Sequence, residues 1–111
     1  MIKLTEKSAN VINSMIGDRK GYGLRLATID DCCGVKFNLF FDKKSASDKT
    51  VKRHGNIHIF SDRQTLGLAA ALEKKKQFVK TTVDYISTPL TNGFISNNQR
   101  LNLNIWEHEL V

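Results

Sequence analysis

The clearest pattern in the chain runs from 35 to 42, where Val35, Phe37, Leu39 and Phe41 alternate with Lys36, Asn38, Phe40 and Asp42. A period of two puts one set of side chains on each face of a strand, so the first four are expected in the core. Residues 24–29 give another strand, with Leu24 and Leu26 on one side and Arg25 on the other, after a break at Gly21-Tyr22-Gly23. A short strand is predicted over 2–4. Ala9, Ile12, Met15 and Ile16 then recur at helical spacing, with Val11 at the margin of that face, which predicts a helix over 6–16. Thr5 is placed to cap it, because its hydroxyl can accept a bond from an unpaired amide of the first turn, and Gly17 supplies the stop.

Residues 43–49 are polar and small and read as an exposed loop. Strands are predicted over 50–53 and 56–60, with His54-Gly55 as the tight turn between them. Ser61 or Asp62 then caps a second helix over 63–80, in which Leu66, Ala69, Ala70, Leu72 and Phe78 stand beside Glu73-Lys74-Lys75-Lys76. A strand over 83–86, a loop over 89–93 and a brief strand at Phe94-Ile95 follow. Beyond Asn97 the chain is Asn-rich and is expected to be loosely held, so that 1–98 form the domain and 99–111 a C-terminal tail. These elements predict an α+β fold: a small β-rich domain of mixed, sandwich-like sheets, packed by the N-terminal helix and carrying a second helix after the central hairpin.

Composition narrows the function classes. With 41% hydrophobic and 25% charged residues in 111, the chain has the usage of one globular domain, and 7 Gly and 1 Pro are too few for a low-complexity segment. Its opening residues alternate charged and apolar, and no stretch is apolar enough to span a bilayer, so the expected location is the cytoplasm, with no membrane partner. The two cysteines, Cys32 and Cys33, are adjacent, and a bond between them closes almost no loop. A reduced pair in a reducing compartment fits better. Asp30 and Asp31 precede them, and their negative charge raises a nearby thiol pKa, which argues against cysteine enzyme chemistry.

The formal net charge of +6 favours acidic partners or phosphate backbones. It concentrates in two patches, Lys74-Lys75-Lys76 with Lys80, and Lys43-Lys44 with Lys52-Arg53, although a solvated helix face explains the first equally well. No aromatic-rich RNA-binding signature accompanies them, and Gly21-Tyr22-Gly23 precedes a strand rather than a helix, so it is no phosphate-cradling loop. Nucleic acid therefore stays open as a partner but without a motif. His54 and His58 are four apart, a metal spacing on a helix, yet Gly55 and the strand pattern around them favour an ordinary surface.

Several anchors stand in an order that resembles the A-type iron–sulfur assembly proteins, the HesB, IscA and SufA group: Ile2-Lys3-Leu4-Thr5 opening a helix, Gly23-Leu24-Arg25-Leu26, Cys32-Cys33-Gly34, and Val83-Asp84-Tyr85-Ile86 ahead of Gly93-Phe94. The resemblance covers the chain to about Asn98. It implies a HesB-like domain, no enzyme activity, and an accessory protein that carries iron or an iron–sulfur cluster between a scaffold and apo-protein clients, as a homodimer or other homo-oligomer. It also implies that Cys32, in the Cys-x-Gly turn, is a cluster ligand; Cys33 matches no family ligand and joins it as a metal ligand only where the turn before Gly34 bends both side chains together. The sequence departs from the family twice. The tail Cys-Gly-Cys is missing, and the region between Leu66 and Val83 is longer, as if by an Ala/Lys-rich insertion. Glu107 and His108 fall near the place of the missing cysteines, where they offer oxygen and nitrogen donors or are simply end residues. The alternative is a member without a cluster, bound to partners through its basic surface.

Overall fold

A computed structural model describes residues 2–31, 34–76 and 81–105. β1 (Ile2–Leu4) leads through Thr5 into α1 (Glu6–Ile16). Both ends of α1 are set locally. The Ser8 amide donates to Thr5 Oγ1 at 3.2 Å, and Gly17, at φ +56°, donates its own amide to Asn13 O at 3.0 Å. Its buried face is Ser8, Ala9, Ile12 and Ile16, with Met15 half-buried against the core. Ser8 is tolerated there because its hydroxyl donates to the carbonyl of Val83 at 2.9 Å.

β2 (Tyr22–Asp31) and β3 (Gly34–Lys43) form the central antiparallel hairpin, with Leu24 opposite Phe41 and Leu26 opposite Leu39. Phe37, Leu39 and Phe41 are buried as their alternation predicts, and Val35 is half-buried at the hairpin end. β4 (Lys49–His54) and β5 (Ile57–Ser61) form a second hairpin. Its turn is Gly55-Asn56 rather than His54-Gly55, because His54 pairs with Ile57 and Gly55 takes φ +57°. Asp62 caps α2 (Arg63–Lys74), accepting from the Thr65 amide at 2.7 Å.

The predicted reach of α2 to residue 80 is corrected. The helix stops at Lys74, Lys75 is its cap, and Lys76 turns to φ +60°. Past Leu72 the run Glu73-Lys74-Lys75-Lys76 offers no apolar side chain to the core one helical turn on, so packing no longer supports the helix. Phe78 and Lys80 lie outside the described residues.

β6 (Thr81–Ser87) and β7 (Asn92–Ser96) form the third hairpin, closed by a turn in which the Thr88 amide donates to Thr91 O at 2.9 Å. The stretch after Asn97, expected to be loose, is corrected over four residues: β8 (Leu101–Asn104) lies parallel to β3, with Phe37 opposite Leu101 and Leu39 opposite Leu103. Leu101 and Ile105 are both buried.

The strands make two sheets, one in the order β4-β5-β2-β3-β8 and one in the order β1-β6-β7. Leu24, Leu26, Phe37, Leu39, Phe41, Ile57 and Ile59 of the first pack with Ile2, Leu4 and Val83 of the second and with Ile12 and Ile16 of α1 in a single core. α1 contacts β5 and β6, and α2 contacts β2 and β4. Thr5 ties the start of α1 to β6, the middle strand of the three-stranded sheet: its amide donates to Val83 O, and its hydroxyl donates to Asp84 Oδ1 at 2.7 Å. That bond, with the Tyr85 amide, holds the Asp84 carboxyl below its usual range. Among the described residues no helix is long and apolar enough to cross a membrane.

The parallel β2–β5 pair is the tightest approach. A Cβ at Gly23 would stand 2.3 Å from His58 O and 3.0 Å from Phe60 Cε2, so only glycine lets the strands meet. Gly23→Ala is expected to cost about 2 kcal/mol through the forced strand shift. A thermal melt of the variant matching the parent would show that the approach is not constrained.

Candidate functional site

The β2–β3 register runs without a break to Asp31 opposite Gly34. Cys32 and Cys33 occupy the sequence positions between that pair and lie outside the described residues, as do Glu107 and His108. The immediate surroundings are described. Gly34 takes φ +120°, a value side chains rarely adopt, which is a backbone reason for glycine at the end of the Cys32-Cys33-Gly34 motif. Arg100, entering β8, braces this end: its guanidinium Nη1 donates to Val35 O at 2.8 Å, while its own carbonyl accepts from the Phe37 amide at 2.6 Å.

Beside the hairpin end lies an open cleft of about 630 Å³, walled by Ala27, Ile29, Gly34 and Val35 on one side and by Gln64 and Leu68 of α2 on the other. Thr28 and Thr65 hydroxyls, 2.9 Å apart, hold α2 to β2 at its floor. Sequence reading did not find this cleft. The signal present was only the placement of a capped helix directly after β5, and nothing local says that it returns to β2.

The strongest electrostatic feature sits elsewhere, on the solvent side of the five-stranded sheet. Arg25 Nε donates to Asp42 at 2.6 Å, and its two terminal nitrogens each donate to one oxygen of Asp48 at 2.7 Å. The guanidinium lies 4.9 Å from the centre of the fully buried Phe60 ring. Asp48 also accepts from the Ser45 amide and hydroxyl, so it closes the 44–48 loop onto the sheet. The Arg25 hydrogen bond holds the Asp48 carboxyl far below the usual range, and Asp48 in turn raises the Arg25 pKa.

His58 and His54 stand on opposite strands, paired with Arg53 and Ile57, so their spacing builds no metal pair. The His58 ring is 2.7 Å from Thr50 Oγ1, and burial, then Arg53, then Lys44 push its pKa down. Among the described residues no three His, Cys, Asp or Glu side chains cluster as a metal site. Lys74, Lys75 and Lys76 are all exposed.

The arrangement of sheets, helices and hairpins recurs in solved structures. Escherichia coli SufA, which is involved in biosynthesis of iron–sulfur clusters, superposes with a TM-score of 0.59 at 22% identity, over 91% of this chain and 82% of that one. The fold is that of SufA. IscA, solved with its 2Fe–2S cluster, gives a TM-score of 0.54 at 18% identity over 89% of this chain and 83% of that one. A protein of Aquifex aeolicus solved by NMR gives 0.50 at 17% identity over 87% and 90%. In sequence, the uncharacterized protein blr1755 of Bradyrhizobium diazoefficiens is 27% identical over 101 residues, covering 88% of this chain and 87% of its own. No family model matches the chain. The α+β, HesB-like architecture expected from the sequence is thus the one found.

Proposed function

We propose that the chain is a non-enzymatic accessory of iron–sulfur cluster assembly, which holds iron or a cluster as cargo through Cys32 and passes it on to client proteins. The observation that carries this reading is the coincidence of a SufA fold with a Cys32-Cys33-Gly34 motif whose cysteines fall, in sequence, between the paired residues Asp31 and Gly34. The donor chemistry fits in kind, since thiolates are the ligands that iron–sulfur clusters take. It falls short in number. Clusters generally take four ligands, the chain has 2 Cys in all, and its tail, from Asn97 to Val111, has none.

Two copies of the chain supply the missing thiolates: two from Cys32, and four if Cys33 also turns toward the cargo. Binding through such a shared site is weak and labile. Anaerobic reconstitution with iron and sulfide, followed by absorption spectra and metal analysis, is expected to load the parent and to leave Cys32→Ser without iron. Cys33→Ser should lose less. A full load retained by Cys32→Ser sinks the ligand assignment.

The absent tail cysteines favour a second reading, in which the chain keeps the fold, binds no cluster and acts as a protein-binding or regulatory module through its basic surface. A parent that takes up no iron under reducing, anaerobic conditions selects it.

A further inference from the structure

Each of the two sheets has one edge guarded against strand pairing and one that is not. β4 ends the larger sheet with Lys49, Lys52 and a bulge between Thr50 and Lys52, and β1 ends the smaller one with three residues centred on Lys3. Charges, bulges and short length keep edges from pairing with other chains. The opposite edges, β8 and β7, carry no charged residue, no Pro and no break in register. These two edges come together. Phe94 and Ile95 of β7 and Asn102 and Leu103 of β8 line one open groove of about 550 Å³, with Asn98 and Gln99 at the connection between the strands. None of the groove's lining residues is charged, in a chain that is 25% charged.

The backbone of β8 has groups to offer on this side. In a parallel ladder only alternate residues of a strand bond a given neighbour. Arg100 O accepts the Phe37 amide and Phe37 stands opposite Leu101, so Asn102 and Asn104 turn their amides to β3 while Leu103 turns its N–H and C=O the other way. β8 is the last strand of its sheet, so no described strand meets them. Open backbone groups along an edge are a template for one more strand.

We propose that the open edge of β8 binds an extended, uncharged segment of a partner protein as an added strand, with alternate side chains of that segment in the groove against β7. Main-chain bonds supply the affinity, and a groove without charges selects apolar and small polar side chains, because a charge buried there finds no partner. Ile95, 45% exposed, and half-buried Phe94 and Leu103 are the apolar surface it covers. A second copy of the chain is the rival occupant. Two β8 strands paired antiparallel about their middle, which lies opposite Asn38 and Leu39, put the two Gly34 residues about 30 Å apart along the strands. Chains joined in that way do not share cargo held by the cysteines that precede Gly34 in sequence, as the carrier reading requires. On that reading the added strand belongs to a client; the edge itself depends on β7 and β8 alone.

The test follows the Leu103 amide of the full chain by NMR hydrogen exchange while a capped seven-residue peptide of alternating valine and threonine is titrated in. The Leu103 amide is expected to exchange fast in the free chain and about tenfold or more slowly at saturating peptide. A copy of the peptide N-methylated at every residue, which keeps the side chains and loses the main-chain donors, should bind at least about tenfold more weakly. A copy with glutamate in place of threonine should also lose about tenfold, despite the positive charge of the chain. Leu103→Pro removes the outward donor, leaves the ladder to β3 in place, and should weaken the parent peptide by about tenfold; where that variant does not fold, the N-methylated copy decides. Equal binding of the methylated and unmethylated peptides overturns the added strand, and tighter binding of the glutamate copy overturns the selection for an uncharged segment. A Leu103 amide already protected in the free chain overturns the choice of occupant, in favour of the chain's own tail when protection is independent of concentration and of a second copy when it grows with concentration. A parent that takes up no iron ends the carrier reading and with it the client, and leaves the added strand standing.

Discussion

Phe37→Asp is expected to leave the chain without a cooperative unfolding transition. Phe37 is fully buried on β3, between Thr28 of β2 and Leu101 of β8 in register. Removing a buried Phe side chain costs about 3–5 kcal/mol. A carboxylate in its place adds several kcal/mol more, because it is desolvated without a partner or must be protonated to stay inside. The total rivals the whole stability of a small domain, roughly 5–15 kcal/mol. Phe40→Asp supplies the control, since Phe40 is on the other face of the same strand, half-buried and opposite Arg25. That variant should fold. A Phe37→Asp protein that melts with the parent's profile in circular dichroism would refute the assignment of faces.

The success of β3 and the failure of β8 have one cause. β3 announces itself through four apolar residues in strict alternation, a signal contained within eight positions. β8 alternates as well, Leu101 and Leu103 with Asn102 and Asn104, but asparagine is a poor strand former and the partner strand lies far back in the chain, with Phe37 meeting Leu101. What makes Leu101–Asn104 a strand is tertiary pairing, which leaves no local trace. α1 was legible to its last residue because Thr5 and Gly17 are local signals, whereas α2 was drawn too long because nothing apolar or glycyl marks its end at Lys74.

The candidate site divides in the same way. Cys32 and Gly34 are legible as a motif, and the fold that surrounds them agrees with the family resemblance. The cleft beside the hairpin depends on Thr28 meeting Thr65, and the Arg100 brace depends on its reaching Val35, contacts across 37 and 65 positions that no short pattern encodes. Arg25 was visible only as a polar residue on the outer face of a strand. Its partner Asp48 stood in a polar loop and had no reason to be chosen over its neighbours.

Arg25→Ala is expected to destabilise the chain by roughly 3–5 kcal/mol, because it removes one partner of a buried ion pair and leaves the other. The Arg25 and Asp48 side chains are 19% and 4% exposed, so Asp48 would keep only the Ser45 amide and hydroxyl as donors, and Phe60 would lose the guanidinium that covers its ring. Arg25→Lys should recover part of the loss, since one ammonium cannot reach both oxygens of Asp48 and Asp42 together. The double variant R25M/D48A should be more stable than Arg25→Ala, because it leaves no buried charge. The pH dependence gives an independent reading. Asp48 is depressed in the folded chain, so its contribution is fully present above the unfolded carboxylate value of about 4 and is lost as pH falls below it. Urea midpoints should therefore drop for the parent as pH falls through that range, and drop less for Arg25→Ala, where the largest cause of the depression is removed and only the Ser45 donors remain. Parallel pH profiles for the two proteins would show that Arg25 does not hold Asp48 ionised.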